Sequence, residues 1–151
     1  MSGFLLDTNV ISMLSPARAE ASPRFLAWLE RMDAAEQLFL SVVTVHEIEK
    51  GIALLEHRKA AAKAAGLKLW LSGLITTYGD KILEIDASSA SLGGQLEAKA
   101  IAAGHAPGMA DASIAGIAKA HDLAIVTSNT KHFLPFGVEV LAPGDVAQPL
   151  L

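Results

Sequence analysis

The sequence predicts an α/β domain, a three-layer α/β/α arrangement over residues 1–151 around a mostly parallel sheet of four to five strands. Short apolar runs of strand length alternate along the chain with longer segments whose apolar residues recur at helical spacing. The first run, Phe4-Leu5-Leu6, is apolar at every position and stops at Asp7, as a strand covered on both faces does. With 52% hydrophobic and 19% charged residues, the 151-residue chain has the material for a proper core and is not a disordered segment.

Each element follows from local chemistry. Asp7-Thr8-Asn9 supplies side chains that start helices, so a short helix is expected over 10–14, broken by Ser15-Pro16. Ser22 reads as an N-cap ahead of Pro23, launching a helix over 24–33 that turns Phe25, Leu26, Trp28, Leu29 and Met32 inward. Residues 37–43, rich in large and β-branched apolar side chains, form the second strand, which Thr44 ends. A helix then runs to about residue 56, and its Thr44-x-x-Glu47 spacing is that of a capping box. An alanine-rich helical pattern continues over 58–78, with Gly66 or Gly73 as points of bending. The third strand is placed at 81–85, and Asp86 and Ser88 are candidate caps for a helix over 90–103, stopped by Gly104. After the turn Ala106-Pro107-Gly108, a helix over 109–121 carries Asp111 in its first turn; 124–127 is a buried fourth strand and 138–141 a short last one.

Topology says where the polar residues fall. Asp7 and the segment 127–132 follow strands directly, and Glu47 lies early in a helix that follows a strand. Asp111 begins a helix that runs antiparallel to the strands in a right-handed crossover, so it too sits at their carboxyl edge, where ligands of such sheets gather. Asp7, Glu47 and Asp111 then form one carboxylate cluster, with Thr8, Asn129 and His132 beside it. Like charges this close require a cation, and hard oxygen donors suit Mg²⁺ or Mn²⁺. Such a site activates water and stabilises the leaving oxygen of a phosphodiester. Three separate helix caps account for the same acids, since carboxylates are favoured at helix N-termini.

Composition excludes several classes. The net charge of −4 and pI near 5.7 rule out nucleic-acid binding by bulk electrostatics. Any such contact is local, and the candidate patch is Lys50, Arg58, Lys59, Lys63 and Lys68, in a stretch with no Asp or Glu from His57 through Gly79; a solvated helix face reads the same way. Without cysteine there is neither a disulfide framework nor a thiolate metal site, which suits the cytoplasm. No basic leader precedes an apolar stretch, and no apolar run reaches the roughly 18 residues of a membrane span. A mean hydropathy of +0.39 points to apolar surface set aside for an oligomer, at least a dimer.

Three blocks, Leu5-Leu6-Asp7-Thr8-Asn9-Val10-Ile11-Ser12, Ser41-Val42-Val43-Thr44-Val45-His46-Glu47-Ile48, and Met109-Ala110-Asp111-Ala112-Ser113-Ile114-Ala115 followed by Val126-Thr127-Ser128-Asn129-Thr130-Lys131-His132-Phe133, together resemble a PIN-domain ribonuclease of the VapC toxin type, close to its FitB-like branch. The resemblance spans residues 4 to about 141. It implies a Mg²⁺- or Mn²⁺-dependent endoribonuclease, dimeric as a toxin and blocked by a VapB-type antitoxin with which it forms a hetero-oligomer. Asp7, Glu47 and Asp111 match the family's acidic positions. Where the family often has a further Asp before the Phe of its last block, this chain has His132, which leaves open a fourth ligand and a second metal.

Two other readings stand beside it. A phosphatase of the haloacid dehalogenase type would use Asp7 as nucleophile, but Asn9 and Ile11 stand where its motif needs Asp and Thr. A non-catalytic module would keep the fold and bind RNA or protein. With aromatics at 5%, stacking platforms are few, which favours a folded RNA over a generic single strand.

Overall fold

The computed structural model describes residues 3–147. Five parallel strands, β1 (Phe4–Leu6), β2 (Leu38–Ser41), β3 (Ile82–Leu83), β4 (Ala124–Val126) and β5 (Val140–Leu141), form one sheet in the order β3-β2-β1-β4-β5. β1 is therefore central, with Phe4 opposite Leu38 on one side and Ala124 on the other. The chain moves outward from β1 through β2 to β3, then crosses back to lay β4 against the other edge of β1. The reversal leaves a crevice between the carboxyl ends of β1 and β4, where open sheets of this kind bind ligands.

Side chains alternate across a strand, and β1 shows the result: Leu5 enters one core and Leu6 the other. The Leu6 face is covered by α1 (Thr8–Met13), α2 (Pro23–Ala34), α3 (Val42–His57) and α4 (Ala61–Tyr78), through Val10, Phe25, Trp28, Ile52 and Leu71. The Leu5 face is covered by α5 (Ala87–Ala102) and α6 (Met109–Ala120), with Phe133 from the short α7 (Thr130–Phe133). A last short helix, α8 (Pro143–Val146), packs near α2. The three layers and the parallel sheet are as the alternation of elements predicts.

Local expectations fail in instructive places. The second strand ends at Ser41, whose hydroxyl accepts the Thr44 N–H at 3.2 Å and caps α3. Thr44 is thereby inside the helix, and the expected Thr44–Glu47 capping box does not form. The third strand shrinks to two residues because Asp86 and Ser89, not Ser88, close a capping box that starts α5 at Ala87. Leu26 is 43% exposed while its neighbours Phe25, Trp28 and Leu29 fill the core, so the inward stripe of α2 is narrower than its apolar residues suggest. α4 runs through both Gly66 and Gly73 without a break, and residues 130–133, expected to leave the sheet as loop, form α7.

Close approach of α5 and α6 fixes where α6 begins, and hence where Asp111 stands. A Cβ on Gly116 would collide with the Ser89 carbonyl and lie 2.7 Å from the Gly93 nitrogen, so only glycine admits this helix crossing. Gly116→Ala should therefore lower the unfolding free energy by about 1–3 kcal/mol. Gly94→Ala, next to open space in the same helix pair, should be neutral or stabilising by up to about 1 kcal/mol. Urea midpoints of the two variants against the parent check the contrast.

Candidate active site

Asp7 stands at the end of β1, 6% exposed, with a side chain that accepts no capping hydrogen bond from α1. Its Oδ2 instead accepts the Thr127 hydroxyl at 2.8 Å, from the end of β4 across the crevice. Thr127 is fully buried. Its oxygen accepts the Asn9 side-chain N–H at 3.2 Å and the Asn129 backbone N–H at 3.0 Å, so its proton is directed at Asp7. Asn9 also accepts the Ser128 N–H at 3.0 Å, which fixes its amide and ties α1 to the loop after β4. Asn9 is thus occupied as a strut, and the haloacid dehalogenase reading, which needs a reactive group there, loses its second position.

Glu47 lies in the second turn of α3, too far along the helix to cap it. Its Oε1 accepts the Thr8 hydroxyl at 2.6 Å, and Thr8 lies 2.9 Å from the buried Thr44 hydroxyl. Asp111, in the first turn of α6, is half-buried, with His132 Nδ1 3.7 Å from its Oδ2. Asp7, Glu47, Asp111, Thr8, Asn129 and His132 all line one cleft of about 460 Å³. Arg18 reaches the same cleft but is engaged by Glu20 at 3.0 Å. Among the described residues no lysine or arginine pairs with the three acids.

The basic patch is dispersed. All five residues are exposed, and Lys68 is held by Glu56 at 2.9 Å. Only Lys63 lines a groove beside the cleft, about 270 Å³ between Thr8, Glu47, Ile52, Leu67 and Trp70. Lys50, Arg58 and Lys59 line neither. On the other side of the cleft, His105 and Lys131 join His132 and Asp111 around a second hollow of about 290 Å³. Thr44 and Thr127 escaped sequence reasoning as site residues. The first was occupied by a capping explanation, and the second, a small hydroxyl ending a strand, gave no signal until β1 and β4 were known to be neighbours.

The PIN-domain family model matches residues 4–134. The chain belongs to the PIN-domain family. Plasmid stability protein StbB of Pseudomonas syringae pv. tomato is 37% identical to this PIN domain over 142 residues, 93% of the chain and 98% of that protein. Toxin FitB of Neisseria gonorrhoeae is 34% identical over 139 residues, covering 92% and 96%. Among solved structures, FitAcB from N. gonorrhoeae matches with a TM-score of 0.78 and 34% identity over 93% of this chain and 98% of that one. DNA-bound VapBC from Salmonella typhimurium matches with a TM-score of 0.72 and 26% identity over 95% and 99%. No helix among the described residues is long and apolar enough to cross a membrane.

The electrostatics of the PIN-domain cleft are governed by burial and by the proximity of its acids. Burial pushes the Asp7 carboxyl above its ordinary 3.8; the Asp111 and Glu47 charges push the same way, while the Thr127 hydroxyl and the Thr8 backbone N–H pull it back. Burial likewise raises Asp111, with His132 opposing and Glu47 reinforcing. Among the described residues no three His, Asp or Glu side chains are gathered tightly enough to ligate one ion directly. The donors fit Mg²⁺ nonetheless, because that ion keeps several waters and takes only one or two protein carboxylates.

Raised pKa values make the metal-free fold favour the protonated acids. Their contribution to stability is complete below the unfolded value of 3.8 and is lost as pH rises through the elevated folded values. In a chelator, thermal unfolding from about pH 4 to about pH 8 should show Asp111→Asn gaining on the parent as pH rises, the gap closing at the acid end. Adding Mn²⁺ should raise the parent's midpoint more than the variant's. A gap independent of pH would mean that neither burial nor the charge of Glu47 raises Asp111.

Proposed function

We propose that this PIN domain is a divalent-metal-dependent endoribonuclease toxin, cutting RNA phosphodiester bonds in the cytoplasm until a cognate antitoxin covers the cleft. The observation that carries the reading is the meeting of Asp7, Glu47 and Asp111, from three separate segments, on one cleft at the crevice between β1 and β4. Mutual repulsion among buried acids is tolerated in a fold that gains from it, and a bound cation is the gain that fits. The name of a relative supports the biology: FitB of Neisseria gonorrhoeae is called a toxin. A VapB-type antitoxin and a toxin homodimer complete the proposal.

Asp7, Glu47 and Asp111 would hold Mg²⁺ or Mn²⁺ through acceptor-only oxygens, directly or through water, and the imidazole of His132 beside Asp111 would tilt the choice toward Mn²⁺. Bound there, the ion supplies positive charge to the phosphate oxygens and lowers the pKa of a water molecule. Glu47, fixed through Oε1 by Thr8, would accept a proton from the attacking water at its second oxygen. Thr127 keeps Asp7 oriented as an acceptor. Asn129, at the mouth, lies where the RNA strand enters. A non-catalytic module gives no reason to keep three acids facing one space.

Asp7→Asn, Glu47→Gln and Asp111→Asn should each reduce metal-dependent RNA cleavage by about 10²-fold or more while leaving the fold intact. Glu47→Gln is the most telling of the three, since Glu47 caps nothing. A Gln variant that cleaves RNA at the parent's rate removes Glu47 from the chemistry. For RNA contact, Lys63 beside the cleft should matter and Lys68, tied to Glu56, should not. Lys63→Gln should reduce the slope of log Kd against log salt by about 0.7, the share of one phosphate contact to a single strand, and Lys68→Gln should leave it unchanged.

A further inference from the structure

We propose that Thr44 is a positioning residue for Glu47, acting through Thr8 by a forced direction of hydrogen bonding. This rests on the functional reading above and adds to it a residue from the interior of α3. Glu47 is an acceptor only when ionised, so at 2.6 Å the Thr8 hydroxyl must donate its single proton to Glu47 Oε1. The 2.9 Å contact between the Thr8 and Thr44 oxygens then has one possible polarity, with Thr44 donating to Thr8. Thr44 is wholly removed from solvent, and Thr8 is the partner its hydroxyl has among the described residues. The chain of protons therefore runs Thr44 to Thr8 to Glu47 and ends at the cleft.

The geometry of α3 makes this relay. With Ser41 as the N-cap, Thr44 and Glu47 fall three residues apart on one helix face, and that face looks onto the first residue of α1. Had the helix begun at Thr44, the same two residues would have closed on each other as a capping box and neither would have met Thr8. Cooperativity gives the arrangement its effect: a hydroxyl that receives a hydrogen bond donates a stronger one, most of all to a charged acceptor in a place shielded from water. Without Thr44, the Thr8 oxygen loses its donor, and the hydrogen bond from Thr8 to Glu47 loses the strengthening that donor gave it.

Thr44→Val replaces the hydroxyl by a methyl group of the same shape, Thr44→Ala takes its place should that variant not fold, and Thr44→Ser keeps the donor. The readouts are Mn²⁺ affinity by titration calorimetry, and kcat and KM for RNA cleavage in Mn²⁺. The expected result is a fall of about tenfold in Mn²⁺ affinity and in kcat for Thr44→Val or Thr44→Ala with KM for RNA unchanged, and values within about twofold of the parent for Thr44→Ser. In a Glu47→Gln background, Thr44→Val should have no further effect on Mn²⁺ affinity, because the end of the relay is gone. Unchanged affinity in the hydroxyl-free variants, or an equal loss in Thr44→Ser, overturns the assignment and leaves Thr44 as packing. A parent that binds Mn²⁺ but cuts no RNA defeats the ribonuclease reading instead, and the Mn²⁺ titration still decides the role of Thr44.

Discussion

Asp7 is a carboxylate withdrawn from water at the end of the central strand, and much of the surrounding polar structure serves to make that position tolerable. A buried acid with no donor would shift to its neutral form or disrupt its surroundings. Here Thr127 supplies a hydroxyl that donates to Asp7 at 2.8 Å, much closer than its other acceptor, the Asn9 Oδ1 at 3.5 Å, while its oxygen accepts from the Asn9 amide and the Asn129 backbone. Asn9 in turn holds Ser128. Five residues from two separate stretches of the chain are thus locked into one hydrogen-bonded unit, and among the described residues no lysine or arginine pairs with the charge. The fold keeps Asp7 oriented without cancelling its negative potential, which leaves that potential available to a cation.

Glu47 is treated by the same logic on the opposite wall, with Thr8 in the place of Thr127. Asp111 is different: it is more exposed and has an imidazole rather than a hydroxyl beside it. Its position depends on backbone packing instead, because the glycines that let α5 and α6 touch also set the depth at which α6 starts. Two acids are therefore placed by side-chain hydrogen bonds and the third by helix packing, so substitutions disturb them by separate routes.

Much of this was legible before any coordinates. Alternating apolar runs predicted the parallel sheet, and the reasoning that placed three acids at one edge needed only the handedness of crossovers. Legibility failed where two local signals competed for the same residues. Thr44 and Glu47 have the spacing of a capping box, but Ser41 three residues earlier offers an equivalent hydroxyl, and pairing of β2 with β3 ends at that point. The strand-ending Thr127 was unreadable for another reason. Its partner is 120 residues away, and nothing local marks it as more than a residue leaving a strand. The basic patch is a different case: of its five cations Lys68 meets Glu56 in space, a pairing that the acid-free stretch 57–79 does not disclose.

The same separation between Asp7 and Thr127 bears on how the protein is made. A chain still emerging from the ribosome displays Asp7 and then Glu47, and remains without Asp111 or the strand that anchors Asp7 until α6 and β4 have followed. Because β4 must insert beside β1, which the chain left at the start, no shorter N-terminal portion can rehearse the finished cleft. The order of the strands alone therefore keeps the three acids apart until β4 is in place, and the cleft is completed in a single late step.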